Sequence, residues 1–288
     1  SKTKPFLYTQ GQAILTRTWI PVQDSPSNRL TYSADVKVPT DLLALMSARN
    51  PTQLSASGNY HFEMPYAIPS YLIALAVGDI GFKDLGTGCG VYAEKELLKS
   101  CAKEFEDLPQ MMSVANELYG KYRWERYDVL VLPYSFPFGG MENPMLTFAN
   151  PTLLTGDKSL VSVLAHELAH SWSGNLVTNH SWSDLWLNEG FASWMETKAT
   201  QHFNPAWQME MSSVQARNYA MYQDSQQTTH PVVQQVNNLE EANAAFDGIT
   251  YSKGLAVITM IEAYLGEDAF RQGVRAYMQQ HQYQNTVT

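Results

Sequence analysis

Val161-Ser162-Val163-Leu164-Ala165-His166-Glu167-Leu168-Ala169-His170-Ser171-Trp172 is the stretch from which the rest of the chain is read. Val161, Leu164, Leu168 and Trp172 recur at the spacing of one helical face, so the segment predicts an α-helix with a core side. His166 and His170 are four residues apart, which puts both imidazoles on another face, one turn apart and near enough to share an ion. Glu167 is turned by about 100° from His166. From there its carboxylate can address a water on that ion without being a ligand itself.

A His-Glu-x-x-His string arises by chance in roughly one of a hundred sequences of this composition, so its surroundings carry the argument. Glu189, in Trp186-Leu187-Asn188-Glu189-Gly190, follows His170 after eighteen intervening residues and falls on the next helical stretch, 185–203. Two imidazoles and a carboxylate give one Zn2+ three protein ligands and leave a fourth position for water, the arrangement of a catalytic zinc site.

Outward from this helix the pattern changes with position. Residues 13–20, 30–38, 59–64 and 71–78 are short alternating or β-branched runs broken by turn residues, and they predict strands. After the Gly86–Gly90 turn, helical spacing takes over across 94–119. A strand at 128–132 then leads into the loop Gly139-Gly140-Met141-Glu142-Asn143-Pro144. The zinc helix is expected to start at a capping residue, Asp157 or Ser159, and to stop at Gly174-Asn175. Further helices are expected at 206–222, 252–265 and 267–282, with a loop around His230-Pro231. The fold class is α+β: a β-rich part over residues 1–83, then a mainly α-helical zinc domain over 84–288.

Composition excludes several functions. With 288 residues, 44% of them hydrophobic and 12% aromatic, the chain is globular rather than disordered. A net charge of −9 offers no basic stripe for nucleic acid; it suits solubility and, secondarily, cationic ligands such as peptide amines. The longest apolar run, 71–77, has the length of a strand, so no membrane span is expected, and Ser1-Lys2-Thr3-Lys4-Pro5 leads into no signal-peptide core. Cys89 and Cys101 are too few for a disulfide framework and too far apart for a zinc knuckle. They are expected to be free thiols of a reducing, cytoplasmic compartment. His61, His180, His202, His230 and His281 have no partner spacing and are expected in structural or surface roles. Nothing in the sequence fixes an oligomeric state.

The two histidines, Glu189 and the loop Gly140-Met141-Glu142-Asn143 together resemble the zinc aminopeptidases typified by aminopeptidase N, a gluzincin family. The strings Thr9–Ala13, Pro69–Leu75, Ser135–Gly140 and Gly174–Asn179 are similar to its leukotriene A4 hydrolase branch, and the similarity runs over nearly the whole chain. The resemblance implies a thermolysin-like catalytic domain after the β-rich one, and removal of the first residue from peptides with a free amino terminus. It implies that Glu142 binds the substrate α-amino group, with Gln12 beside it, and that Gly139, Gly140 and Met141 offer backbone groups to an extended peptide. A carboxylate that must pair with an ammonium fixes cleavage at the first residue. The resemblance further implies that Glu167 is the general base, that Tyr251 hydrogen-bonds the oxyanion, and that Glu196 orients a ligand histidine from behind.

The chain departs from the branch at several positions. Asn243 and Phe246 stand where its namesake has an aspartate and a second tyrosine, so leukotriene-type epoxide hydrolysis is not expected. Phe138 and Leu185 replace a tyrosine and a phenylalanine near the expected side-chain pocket. Family members are longer, so the chain is expected to be a fragment that begins inside the β-rich domain and lacks a carboxy-terminal helical domain. Two other readings stay open, a zinc endopeptidase and a non-catalytic, zinc-stabilised binding domain. Glu142 weighs against the first, since an ammonium anchor would block an endopeptidase cleft. Glu167 weighs against the second, since a structural zinc site has no use for a base.

Overall fold

A computed structural model describes residues 4–288; the expectation for the opening run Ser1–Pro5 falls partly on Ser1–Thr3, which lie outside the described residues. The chain forms two compact units, one containing residues up to Asp24, Asn28–Gln110 and Trp124–Glu167, the other Ser25–Ser27, Met111–Arg123 and Leu168–Thr288. The fold is α+β, with a β-rich amino-terminal part and a helical region after it.

The first unit carries strands β1 (Leu7–Tyr8), β2 (Arg29–Lys37), β3 (Leu43–Met46), β4 (Asn59–Pro69), β5 (Leu75–Gly78), β6 (Ile80–Gly86), β7 (Cys89–Glu94), β8 (Tyr127–Val131), β9 (Gly140–Met141) and β10 (Thr147–Ala149). Its helices are α1 (Leu98–Glu104), the first turn of α2 (Leu108–Tyr119) and most of α3 (Ser162–Ala169). β2 and β4 form an antiparallel ribbon, irregular between Leu30 and Tyr32. Along β4, Tyr60, Phe62 and Met64 are buried while Asn59, His61 and Glu63 are exposed, the period-two pattern of a strand with one face on a core. A small sheet has the order β1-β5-β3, and a mixed sheet has the order β6-β7-β8-β10-β9. β7, β8 and β10 run parallel in the middle of the mixed sheet, where all but the end of β7 is buried; β6 and β9 pair antiparallel at its edges.

The second unit comprises β11 (Val177–Asn179), α4 (Trp186–Phe203), α5 (Met209–Asp224), α6 (Leu239–Ala244), a π-helix Ile249–Lys253, α7 (Gly254–Leu265), α8 (Glu267–Gln280) and β12 (Gln284–Thr286). α6 starts where Asn238 accepts the Glu241 N–H at 2.9 Å. A buried carboxylate ties α7 to α4: Glu262 accepts from Trp194 Nε1 at 3.0 Å and pairs with Lys198 at 2.9 Å. Phe270 of α8 meets the Trp194 ring edge-on at 5.1 Å. β12 closes the unit as a parallel partner of β11.

Several local expectations change. Residues 13–20 form turns and a short 3-10 helix at Thr16–Thr18 rather than a strand. Local bonds take the backbone there, Leu15 N–H to Gly11 O and Arg17 N–H to Asp24 Oδ2, and the Thr16 hydroxyl is drawn inward to Ser70 O. The predicted helix 94–119 is two helices, because β7 runs through Glu94 and Pro109 is tolerated only in a helical first turn, where α2 begins. The helix expected to carry the two histidines starts at Ser162, after Lys158 takes φ 62°, a left-handed conformation no helix continues through. Tyr71–Leu72 belong to a 3-10 turn, which shortens the predicted strand to β5. Residues 249–253 are π-helical, and the last predicted helix gives way to β12.

Cys89 and Cys101 are both free and buried. Among the described residues, no helix is long and apolar enough to cross a membrane.

Candidate metal centre and active site

α3 keeps the two faces its sequence predicts. Val161, Leu164, Leu168 and Trp172 are all buried, and Trp172 Nε1 finds Gly120 O at 3.0 Å. The loop before α3 is held by a buried carboxylate: Glu104 accepts from the Thr155 hydroxyl at 3.0 Å and from the Gly156 and Lys158 amides at 3.0 and 2.9 Å. α3 thus enters from a fixed point rather than from a free loop.

His166, His170 and Glu189 each present a ligand atom, all within 4.8 Å of one another. His170 follows directly after α3, and Glu189 lies in the first turn of α4; both are 2% exposed. His170 Nδ1 stands 2.8 Å from Ser173 O, and its Nε2 stands 3.1 Å from Glu189 Oε2. A carbonyl only accepts, so Nδ1 carries the proton, and the neutral ring then turns the lone pair of Nε2 toward a carboxylate oxygen. Two lone pairs at that distance need a cation or a proton between them. Two ligands on tetrahedral zinc at about 2.0–2.1 Å lie about 3.3 Å apart, so the observed separation suits a shared ion, and the Ser173 carbonyl is the outer partner that fixes the tautomer. The Ser173 hydroxyl in turn donates to Leu187 O at 2.7 Å, pinning this loop to the start of α4. Two histidines and a glutamate fit zinc by donor type and by number.

Glu142 and Glu167 form a second centre. Both are nearly fully buried, at 4% and 6% exposed, and each brings a carboxylate oxygen within 4.8 Å of the other. Gln12 donates to Glu142 Oε1 at 3.4 Å, and Gln10 reaches Met141 Sδ at 3.1 Å. Gly140 lies so close to Glu167 that a Cβ there would overlap the carboxylate, which is why β9 needs glycine at this point. β9 is the edge of the mixed sheet, pairing Met141 with Phe148 and Gly140 with Ala149, and Gly139 O accepts the Asn150 N–H at 2.9 Å. Burial pushes the Tyr127 phenol well above its usual range, and the nearby Glu167 carboxylate raises it further.

Tyr251 sits half-buried in the π-helix, one residue before the helix the sequence predicts. π-turns gather at functional sites because the extra residue re-aims a side chain. Glu196 is half-buried on α4 and, among the described residues, stands outside the clustered ligand sets. Ser173 carries no sequence signal, because its contribution is a backbone carbonyl.

Residues 103–288 match the family model for the peptidase family M1 domain, and residues 1–72 match that for the peptidase M1 N-terminal domain. The chain is 41% identical to leukotriene A-4 hydrolase of Xenopus laevis, over 100% of this chain and 49% of that protein. It is 37% identical to aminopeptidase B of Mus musculus, over 99% of this chain and 45% of that protein. With leucine aminopeptidase 2-1 of Meyerozyma guilliermondii it shares 39% identity, over 99% and 46%. The structure of yeast LTA4 hydrolase in complex with bestatin superposes with a TM-score of 0.92 at 35% identity, over 99% of this chain and 46% of that one. The chain therefore spans about half the length of the relatives it matches. With both family models and the site's donor set in agreement, the chain belongs to peptidase family M1.

Proposed function

We propose that the chain carries the active site of a zinc-dependent aminopeptidase, which hydrolyses the first residue from peptides with a free amino terminus. The observation that carries this reading is the pair of buried carboxylates, Glu142 and Glu167, within 4.8 Å of each other. One suffices for a base; a second, supported by the Gln12 amide, has a use where a substrate ammonium must be held. Family membership and relatives named aminopeptidase B and leucine aminopeptidase support the same activity.

One zinc ion held by His166, His170 and Glu189 would polarise the scissile carbonyl and acidify a water. Glu142, with Gln12, pairs with the α-ammonium and sets the register. Gly139, Gly140 and Met141 offer edge-strand backbone groups to an extended peptide. Glu167 takes the proton from the attacking water and returns it to the leaving amine. Tyr251 donates to the developing oxyanion, and Glu196 helps orient a ligand histidine. Leukotriene-type epoxide hydrolysis is no part of the reading: Phe246 has no hydroxyl and packs on Trp182, ring centroids 6.1 Å apart. Residues 1–83 are assigned to the β-rich amino-terminal domain and 84–288 to the thermolysin-like catalytic domain. The two unpaired thiols support a cytoplasmic location.

The test is turnover of a panel of aminoacyl anilides by the full-length protein, with and without a chelator, beside Glu167→Gln. Chelator and variant should each abolish turnover. Undiminished turnover by Glu167→Gln would overturn the assignment.

A further inference from the structure

The π-helix that carries Tyr251 is held at both ends by a single turn of chain, and the hold at its front runs through a histidine. Asp247 Oδ1 accepts the amides of Ile249 and Thr250, each at 3.0 Å, and its backbone carbonyl accepts the Tyr251 N–H at 3.1 Å. These are donors that a helix start leaves without partners inside the helix. The other oxygen of Asp247 meets His230 Nε2 at 2.6 Å, while His230 Nδ1 meets Pro231 O at 2.7 Å. At the back of the same π-turn, Lys253 Nζ pairs with Asp224 at 2.8 Å, and Asp224 Oδ1 accepts the hydroxyl of Thr229, the neighbour of His230, at 2.6 Å. Thr229 and His230 thus grip the two ends of the segment through Asp224 and Asp247.

The grip has a mechanical reason. A π-turn is a rare conformation, and a rare local conformation persists only where its surroundings fix it. Ile249 and Thr250 are 1% exposed, so their positions are set by packing, but their amides depend on one carboxylate. That carboxylate has two oxygens. One is spent on the amides; the other needs a partner to keep the group from rotating. His230 is that partner, and the Pro231 carbonyl fixes its ring. A carboxylate and a carbonyl both accept, so the two contacts together call for an N–H on each ring nitrogen.

We infer that His230 is a positioning residue for the proposed hydrolysis: through Asp247 it fixes the π-turn, and so the place of the Tyr251 hydroxyl. This rests on the oxyanion role assigned to Tyr251, and the experiment separates the two.

Backbone hydrogen exchange is followed over residues 246–254 in full-length protein, and aminoacyl-anilide kinetics are measured on the same samples. His230→Ala should speed exchange in that segment about tenfold and lower kcat about tenfold with KM within about twofold, since misplacing a catalytic group by a fraction of an ångström costs this much. His230→Gln, which keeps a donor toward Asp247, should recover part of both losses. In a Tyr251→Phe background, His230→Ala should lower kcat no further. Unchanged exchange over 246–254 in a folded His230→Ala protein would overturn the inference, as would equal kcat losses with and without Tyr251. Tyr251→Phe with full kcat would instead remove the oxyanion role, and the exchange result would still decide whether the grip exists.

Discussion

Gly190 of α4 and Gly254 at the start of α7 meet backbone to backbone: a Cβ on Gly190 would lie 3.2 Å from Gly254 Cα, and one on Gly254 would lie 3.2 Å from Gly190 Cα. The residue before Gly190 is the proposed zinc ligand Glu189, and the π-turn with Tyr251 ends directly before Gly254. The closeness of these two glycines therefore sets how near the Glu189 segment and the Tyr251 segment come. An added Cβ would be in tighter than ordinary contact, and backbone on the other helix would have to give by a few tenths of an ångström.

Gly190→Val should cost about 2 kcal/mol, the usual effect of overpacking a tight contact, because valine adds two methyl groups to a Cβ already 3.2 Å from Gly254 backbone. Gly190→Ala should cost less, as alanine regains some helix propensity. Chemical denaturation of the two variants against wild type checks the order. A valine variant as stable as wild type would show that the helices part freely.

Removing metal should lower the melting temperature, because His170 Nε2 and Glu189 Oε2 stand 3.1 Å apart, a separation that suits a shared zinc ion. Free zinc at a hundredfold its dissociation constant stabilises the folded state by about 2.7 kcal/mol through linkage. Thermal melts with chelator, then with zinc restored, measure this difference. In Glu189→Ala the difference should shrink toward zero.

Glu142→Ala should raise KM for dipeptide anilides by about a hundredfold or more, since a buried charge-assisted pair with an ammonium contributes about 3 kcal/mol. Peptides with acetylated amino termini should be inert with wild type. Chromatography of acetylated and free peptides after incubation reads both results, and cleavage of the acetylated set would favour an endopeptidase.

Burial pushes the Cys89 and Cys101 thiols up to about 12 each, with Asp128 adding to the rise at Cys89 and Glu104 at Cys101. The reactive species is the thiolate, so at pH 8 only about one thiol in ten thousand is ionised. Native protein should resist alkylation at pH 8, and denatured protein should take two equivalents, as mass spectrometry can count. The unfolded thiols ionise first, so their contribution to stability is complete below pH 8 and is lost as pH rises from about 9 toward 12.

What the sequence by itself determined is local or periodic. The spacing of His166 and His170 fixes their shared face, the apolar stripe of α3 fixes its buried side, and alternation along residues 59–64 fixes the exposed face of β4. The α+β class and the membership of Glu189 in the next helix follow from the same periods. Tertiary structure decided the rest, because those features depend on partners far along the chain. Ser173 serves His170 through a carbonyl that every residue has, so no side chain could mark it. Residues 13–20 look like a strand until Thr16 finds Ser70 and Arg17 finds Asp24. His230 has no partner at any helical or strand spacing and takes Asp247, seventeen residues on, only once α6 and the π-helix have folded back beside it. Hydrogen-bond partners separated by loops are chosen by packing, and packing is what a pattern read along one chain does not contain.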